Sequence, residues 1–385
     1  MTDLPIGGTC RPEFEAVREA FVANFDGARW GGDTDVGAAV SARVDGETVV
    51  DLWGGHRDAA RTEPWTADTI VCVFSVTKAV AAIVIHALHS DGMVDIDAPI
   101  AAAWPDFAQN GKGAITARMV LAQTAGLLNP DVPDGSLWTQ GVMTRAIEAM
   151  APEWVPGTQA GYHSFTYGPI LQEWVLRATG TPLDRHLRDR FTEPFGLAFA
   201  TGLTEDEIAR CATVIDNPDN GTLHPFRNHP SEDVYHHWRA LDRAEDFNSD
   251  DWRRHAFFSL AGHGNARGIA GLMTPLANAG LLDGQQVIAS DHVASAIAEH
   301  WSGYDRFGQG PGRFAAGFQM ADDLYRFDGT PSTVGFHGIG GSLGFADPVR
   351  HVSFSYCCNA LIAGGAGVNR MSQRLIKALY EALYV

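Results

Sequence analysis

The chain contains 385 residues, carries a formal net charge of −18 and is 45% hydrophobic. This length is sufficient for one large domain or for two closely packed ones. Because so acidic a surface repels phosphate groups, we expect neither a nucleic acid nor a membrane as a partner.

The cysteines and the N-terminus indicate a reducing, cytoplasmic setting. The five cysteines are an odd number, and their only close pair, Cys357 and Cys358, is adjacent in sequence, which is a poor basis for disulfides. No Cys-x-x-Cys motif indicates a zinc site, and neither a signal peptide nor an apolar span of roughly 18 residues is recognisable. We therefore expect a cytoplasmic protein without metal or cofactor.

The first hundred residues predict a helix, a β-hairpin and a second, buried helix. Residues 12–25 carry apolar side chains at helical spacing, and Asp45-Gly46 between two β-prone runs is a strong hairpin signal. The β-prone run TIVCVFS then leads into VTKAVAAIVIHALHSDG, which predicts a helix closed by Gly92. Because this helix is apolar on nearly all sides, we expect it to be buried.

Residues 99–254 predict helices and long loops. The helix candidates are ITARMVLAQTAGL, GPILQEWVLRATG and PLDRHLRDRF. A polar stretch at 216–254 contains a group of histidines, which are His224, His229, His236 and His237. Their spacing matches no standard metal site, so we favour solvated loop histidines over metal ligands.

The last third of the chain returns to β-structure. After a predicted helix in NARGIAGLMTPLANAG, the short runs GRFAAGFQM, DLYRFDG, STVGFHG, SLGFADP and HVSFSYCCNAL predict an antiparallel meander, and 367–384 predicts a closing helix. We therefore predict an α+β fold, an antiparallel sheet flanked by helices. Residues 1–98 and 255–385 would form one discontinuous α/β domain, 99–254 a mainly helical domain, and the active site would lie in the cleft between them.

Ser75 and Lys78 in the stretch FSVTK are the first candidates for chemistry. The chain has only three lysines, and one of them lies one helical turn from a serine at the start of an apolar helix. This spacing places both side chains on one face, where the positive end of the helix favours developing negative charge. Burial would lower the pKa of the lysine and suit it to proton transfer. A helix-capping serine beside a surface lysine is the structural alternative.

With these residues, the sequence resembles the serine β-lactamase and penicillin-binding-protein superfamily, whose signature includes S-x-x-K. Within it, the chain is most similar to class C-type β-lactamases and family VIII carboxylesterases. The nucleophile helix of the family resembles FSVTKAV, and a family segment that usually carries a histidine resembles MVLAQTAGL. The Y-x-N region resembles PGTQAGYHSFTYGPILQE, and the K-T-G-like third motif resembles GFHGIGGSLGFADP. The resemblance covers nearly the whole chain and implies a β-lactamase-like fold.

The resemblance implies a catalytic set of Ser75 as nucleophile, Lys78 as its partner and Tyr162 as general base or proton relay. Such a tyrosine can act as a base only if cations depress its pKa, and Lys78 would be that cation. The resemblance also implies an oxyanion hole, formed by the Ser75 amide and a second backbone amide. Alignment leaves two alternatives for this second amide, which are Gly340 and Gly341. The remaining substrate-binding candidates are Gln123, Ser164 and His337.

Two departures from the β-lactamase pattern bear on the substrate. Ser164 replaces the motif asparagine, and His337 stands where a lysine would bind a substrate carboxylate. A neutral histidine is a weaker anchor, so the sequence favours a small, uncharged, short-acyl ester as substrate. The alternatives are β-lactamase, D-amino-acid peptidase or transacylase activity on the same scaffold, and a non-catalytic penicillin-binding protein.

A second serine, Ser342, lies in GGSLG, which has the G-x-S-x-G pattern of α/β-hydrolases. That alternative requires a helix after the serine, and an acid and a histidine further along the chain. Only Asp347 and His351 follow at suitable positions, and the sequence after Ser342 is strand-like. We therefore favour Ser75.

Overall fold

The computed structural model describes residues 4–26, 34–133, 136–216, 244–308, 310–322, 327, 329–362 and 369–384. Within them, nine antiparallel strands form one sheet, to which the chain contributes residues 6–55 and 301–358. Helices pack against this sheet, so the predicted α+β class is confirmed. The four histidines that we considered as metal ligands lie outside the described residues.

The strands of the described residues are β1 (Ile6–Cys10), β2 (Gly37–Val44), β3 (Glu47–Gly55), β4 (Val71–Cys72), β5 (Phe199–Ala200), β6 (His263–Gly264), β7 (Leu281–Leu282), β8 (Gln285–Gln286), β9 (Trp301–Asp305), β10 (Gly310–Phe314), β11 (Gln319–Met320), β12 (Val334–His337), β13 (Leu343–Asp347) and β14 (Val352–Cys358). The large sheet has the order β1-β3-β2-β14-β13-β12-β11-β10-β9, and β4-β6-β5 form a second, short sheet.

The α-helices of the same residues are α1 (Glu15–Ala23), α2 (Val76–Ser90), α3 (Ala117–Leu121), α4 (Gln140–Ala149), α5 (Tyr167–Thr179), α6 (Leu183–Leu187), α7 (Glu205–Ile208), α8 (Ala244–Asn248), α9 (Asp250–Arg254), α10 (Ala266–Ala277), α11 (Ser290–Ile297) and α12 (Arg370–Leu383). Short 3₁₀ turns lie at Pro12–Phe14, Ile100–Ala102, Pro105–Gly111 and Ile339–Gly341, and a π-helical turn, Arg188–Thr192, follows α6. No helix in this part of the chain is both long and apolar enough to cross a bilayer.

The predicted hairpin forms β2 and β3. Asp45 and Gly46 both have positive φ angles, of 50° and 83°, as a two-residue type I′ turn requires. The turn therefore sets the register in which Val44 faces Glu47 and Gly37 faces Gly55.

Helices cover both faces of the large sheet. On one face, α1 and the C-terminal helix α12 share an apolar core with alternate side chains of the strands, among them Leu52 and Phe345. On the other face, α10 packs across β2, β13 and β14, and Gly344 lies against side chains of both α10 and α2. This second face is the one that carries the Ser75 helix.

Helix α2 is buried as its composition predicts. Every residue from Val76 to Leu88 is buried, and even His86 lies inside, with Nε2 2.8 Å from the Ala316 carbonyl. Burial in such surroundings lowers the pKa of His86 to about 4, so its ring is neutral.

Three predicted elements differ in extent from the structure. The helix predicted in ITARMVLAQTAGL ends at Leu121, because Gln123 adopts a left-handed conformation with φ of 64°. PLDRHLRDRF begins as α6 and continues as a π-helical turn. Most of the predicted strand DLYRFDG lies outside the described residues.

Candidate active site

Ser75 lies at the N-terminus of α2, one residue after a strained position. Phe74 has a φ of 47°, which is unusual for an aromatic residue and turns the chain sharply between β4 and the helix. The Phe74 ring packs edge-on against Phe247, which holds this turn in place. Only 6% of Ser75 is exposed, so the residue is nearly buried.

The Lys78 ammonium group is fully buried beside this serine. Its Nζ lies 3.4 Å from Ser75 Oγ and donates hydrogen bonds to the carbonyls of Ser164, at 3.0 Å, and Ser259, at 2.8 Å. None of the carboxylates in the described residues forms an ion pair with it, and desolvation lowers its pKa well below the usual value. Its Nζ therefore contacts two backbone carbonyls and the Ser75 hydroxyl at once.

The Tyr162 hydroxyl completes a triangle with these two residues. It donates a hydrogen bond to Ser75 Oγ at 2.7 Å, and Lys78 Nζ lies 4.8 Å from the centre of its ring. Ser164, two residues further on, contributes its carbonyl to Lys78 and donates its own amide to the Tyr162 carbonyl. The structure therefore brings together Ser75, Lys78, Tyr162 and Ser164.

The protonation of Tyr162 differs from the sequence-based expectation. A tyrosine base would require a depressed pKa, whereas burial raises the pKa of Tyr162 and the Asp305 carboxylate raises it further. The phenol donates a hydrogen bond to Ser75 Oγ, and its raised pKa does not suit the expected role as a base.

The third motif approaches the nucleophile through Gly338. A Cβ at Gly338 would lie 2.3 Å from the carbonyl oxygen of Val73, so only glycine allows this turn to pack on the strand that leads to Ser75. Of the two predicted oxyanion glycines, Gly341 donates its amide to the Gly338 carbonyl at 3.3 Å. Among the described residues, the amides of Ser75, Ile339 and Gly340 have no acceptor.

His337 points away from the predicted substrate site. Its ring stacks on Phe327, with centroids 4.5 Å apart, in the core that α1 and α12 cover, and burial lowers its pKa to about 3. Neighbouring side chains in a strand face opposite sides, so Phe336 is the residue that faces Tyr162, with ring centroids 6.0 Å apart. The strand end beside the site thus presents an aromatic ring rather than a cation or a histidine.

Gln123 is 1% exposed, and its side chain binds a backbone amide instead of lining an open substrate site. Its Oε1 accepts a hydrogen bond from the His163 amide at 2.7 Å. Sequence reasoning missed Ser259, whose carbonyl binds Lys78, and Asp305, whose carboxylate binds the Tyr162 amide at 2.9 Å. No local motif marks either residue, since each lies more than a hundred positions from its partner.

Ser342 is locked inside the sheet. Its Oγ accepts a hydrogen bond from the Cys358 amide at 3.1 Å, and β13, not a helix, follows it. Asp347 binds Thr330 and the Val349 amide, and His351 Nδ1 lies 3.1 Å from the Ala277 carbonyl. The α/β-hydrolase alternative therefore has no supporting geometry.

One group of described residues has the spacing of metal ligands. Atoms of His89, Asp95 and Asp97 lie within 4.8 Å of one another at the far end of α2. Asp97 already forms an ion pair with Arg118, and His89 Nδ1 lies 3.1 Å from the Val94 carbonyl. His89 lies fourteen residues, or roughly 20 Å of helix, from Ser75, so this group takes no part in the site around Ser75.

The groups suited to acyl transfer are the buried Ser75 hydroxyl, the Lys78 amine, the Tyr162 hydroxyl and the amides at two turns that have no acceptor among the described residues. The model of the beta-lactamase family matches residues 28–376. The chain belongs to the beta-lactamase family. It is thus a hydrolase of the β-lactamase superfamily, and the β-lactamase-like fold that the resemblance implied is confirmed.

Three relatives show which kinds of family member this chain is similar to. The chain is similar to the esterase/beta-lactamase LipL of Mycobacterium tuberculosis, with 29% identity over 92% of this chain and 83% of LipL. A family VIII carboxylesterase superposes with a TM-score of 0.89 and 32% identity, over 98% of this chain and all of that one. A penicillin-binding protein homolog from Caulobacter crescentus gives 0.86 and 33% over the same shares.

Proposed function

We propose that this protein is a serine carboxylesterase that hydrolyses small, uncharged, short-acyl esters through an acyl-enzyme on Ser75. The observation that carries the proposal is the triangle in which Ser75 Oγ lies 3.4 Å from Lys78 Nζ and 2.7 Å from the Tyr162 hydroxyl. The esterase relatives of the family support the same activity.

In the first step, Ser75 Oγ attacks the ester carbonyl while its proton moves to Lys78 Nζ. The amine is suited to this role because its pKa is lowered and its other hydrogens are held by the Ser164 and Ser259 carbonyls. The negative oxygen of the tetrahedral intermediate would be bound by the Ser75 amide and by the Ile339 amide, which directly follows Gly338. Gly340 is the alternative second donor. Each such donor contributes about 3 kcal/mol to the transition state.

Collapse of the intermediate breaks the bond to the alcohol, which leaves with a proton. The Tyr162 hydroxyl, which already donates a hydrogen bond to Ser75 Oγ, gives its proton to the alcohol oxygen. Lys78 then gives the phenolate the proton that it took from Ser75, so that both groups return to their starting states. Water then attacks the acyl group on Ser75 with the same amine as base, and the acid leaves. The chemistry requires no metal or cofactor.

The aromatic side chains around Tyr162 support the proposal of an uncharged substrate. The ring of Phe336 faces Tyr162, and the Phe307 ring packs edge-on against Tyr162 with centroids 5.5 Å apart. His337, which is neutral and faces the other side, offers no positive charge for a carboxylate. Aromatic walls favour apolar acyl or alcohol groups instead.

The test compares chromogenic esters of increasing acyl length with a chromogenic cephalosporin, using wild type and Ser75→Ala. We expect good rates with short-acyl esters, poor rates with the cephalosporin and none with Ser75→Ala, which should melt at the wild-type temperature. Intact-mass spectrometry after exposure to a fluorophosphonate should find one adduct, on Ser75. A folded Ser75→Ala protein that still hydrolyses esters would overturn the assignment.

The same experiment separates the alternatives. A faster rate with the cephalosporin would indicate a β-lactamase. A stable penicillin adduct on Ser75 without turnover of any ester would indicate a penicillin-binding protein. Product analysis with an added alcohol or amine would reveal a transacylase, because the acyl group would appear on the added acceptor.

A further inference from the structure

Tyr162 lies in an irregular segment, so no helix or strand fixes its position. It precedes α5 by five residues, and yet its hydroxyl must stay within hydrogen-bond distance of Ser75 Oγ. Displacement of a reacting group by about 1 Å can lower a rate by roughly 100-fold. The contacts that hold its backbone are therefore relevant to the reaction.

Three consecutive amides around Tyr162 are held by two distant residues. The Gly161 amide donates to the Gln123 carbonyl at 3.0 Å, the Tyr162 amide to Asp305 Oδ1 at 2.9 Å and the His163 amide to Gln123 Oε1 at 2.7 Å. Gln123 therefore accepts the amides on both sides of Tyr162, and Asp305 accepts the amide of Tyr162 itself. Acceptors on both sides restrict rotation of this segment, which would otherwise swing the phenol.

Gln123 and Asp305 each have a feature that costs stability, which is a strained backbone angle for Gln123 and a buried carboxylate for Asp305. Gln123 is 1% exposed and adopts φ of 64°, where a side chain other than glycine is strained. Asp305 is 3% exposed and makes no ion pair with any other described residue, and its Oδ1 also accepts the Phe307 amide at 3.0 Å. A buried carboxylate with only amide donors is expensive, and the structure places this one against the Tyr162 amide.

Asp305 also positions an aromatic ring that packs against Tyr162. The Phe307 ring, which the same carboxylate positions through its amide, packs against the Tyr162 ring. Arg306 donates its amide to the Ala160 carbonyl at 3.0 Å, so the end of β9 runs alongside the Tyr162 segment. One acidic group therefore organises both the proton relay and an aromatic wall.

We propose that Gln123 and Asp305 are positioning residues that clamp the three amides of 161–163 and so hold the Tyr162 hydroxyl on Ser75 Oγ. This inference rests on the proposed function, in which Tyr162 passes a proton. It assigns to Gln123 a role different from substrate binding and to Asp305 a role that no sequence motif indicated.

The experiment measures ester hydrolysis and the rate of fluorophosphonate labelling of Ser75 in four variants of the full chain. Asp305→Ala removes the central acceptor, and Asp305→Asn keeps Oδ1 but not the charge. Gln123→Met removes only the Oε1 contact. The matched control is Asp347→Ala, because Asp347 is also buried and accepts the amides of Val349 and Arg350 in the turn after β13, where it binds Tyr380 of α12.

The clamp predicts that Asp305→Ala lowers kcat roughly 100-fold with little change in KM, and that labelling slows in parallel. Gln123→Met should show a smaller fall of the same kind and carries the test if Asp305→Ala does not fold. Asp305→Asn should recover most of kcat because it keeps the acceptor. Asp347→Ala should lower the melting temperature while leaving the kcat of the folded protein unchanged.

Two results would overturn the inference in distinguishable ways. If wild type is active and Asp305→Ala or Gln123→Met keeps the wild-type kcat and labelling rate, the clamp is wrong and the proposed function stands. If wild type neither hydrolyses esters nor labels at Ser75, the proposed function fails and the clamp fails with it.

Discussion

Lys78 Nζ lies 3.4 Å from Ser75 Oγ while its hydrogens are directed to the carbonyls of Ser164 and Ser259. In the proposed mechanism this amine accepts the serine proton, a role that its burial suits because desolvation lowers its pKa. The neighbouring phenol of Tyr162 has a raised pKa and remains a donor.

The first prediction concerns the pH dependence of activity. In the proposed mechanism the Lys78 amine is the base, so kcat/KM should rise with pH through the pKa of Lys78, which burial holds well below that of an ordinary lysine. Tyrosine ionisation should produce no fall at neutral pH, since the pKa of Tyr162 is raised. The profile of kcat/KM against pH for a neutral ester tests this.

The matching variants are Lys78→Arg and Lys112→Met. Arginine cannot lose its proton, so Lys78→Arg should be inactive at every pH at which the protein is folded. Lys112 is also buried and binds backbone carbonyls, but its variant should affect stability alone. An active Lys78→Arg enzyme would contradict the role of the amine as base.

The second prediction concerns the Tyr162 hydroxyl. Tyr162→Phe removes its hydrogen bond to Ser75 Oγ and the proton relay to the alcohol, so kcat should fall by roughly 100- to 10,000-fold. Burst kinetics with a chromogenic ester would show whether acylation is the slowed step. Tyr380→Phe, which removes a hydroxyl that binds Asp347, is the control and should keep its rate. Equal rates in the two variants would exclude the relay.

The third prediction concerns Gly338. An added methyl group would meet the Val73 carbonyl at 2.3 Å, so Gly338→Ala should push the third-motif turn away from Ser75. We expect a loss of kcat and slower fluorophosphonate labelling, since the oxyanion donors at Ile339 and Gly340 move with the turn. Gly113→Ala is the control, because its added methyl would meet nothing nearer than 3.9 Å. Wild-type activity in Gly338→Ala would show that this turn is not part of the site.

The fourth prediction concerns the stability contributed by Asp35. Its carboxyl is fully buried, Oδ1 accepts the Tyr356 hydroxyl at 2.6 Å, Oδ2 has no partner among the described residues, and burial raises its pKa to about 7. Between pH 4 and pH 7 the unfolded chain loses this proton and the folded chain keeps it. The free energy of unfolding should therefore fall as the pH rises, by about 4 kcal/mol at most.

Asp35→Asn tests this sign, because asparagine keeps an acceptor for Tyr356 but does not ionise. Urea denaturation at pH 5 and pH 8 should show the variant gaining stability relative to wild type at the higher pH. A gain at the lower pH instead would mean that the carboxylate is stabilised by a nearby cation, for which Arg374 is the candidate.

The sequence alone determined the local features whose signals lie within one helical turn or one hairpin. The Ser75–Lys78 spacing, the buried α2 helix and the Asp45-Gly46 turn are all read from neighbouring residues, and the alternation of strands and helices predicts the α+β class. The resemblance of whole segments to one superfamily then supplied Tyr162, which local patterns cannot connect to a serine 87 positions away.

Only the tertiary structure decided the features that depend on distant contacts or on strand phase. The Ser259 carbonyl reaches Lys78 across 181 positions, and Asp305 reaches Tyr162 across 143. A shift of one residue in strand phase turns His337 to the opposite face and leaves Phe336 beside Tyr162. The raised pKa of Tyr162 follows from burial in an irregular segment, where no local pattern of the sequence indicates burial, whereas the apolar α2 helix already predicted the lowered pKa of Lys78.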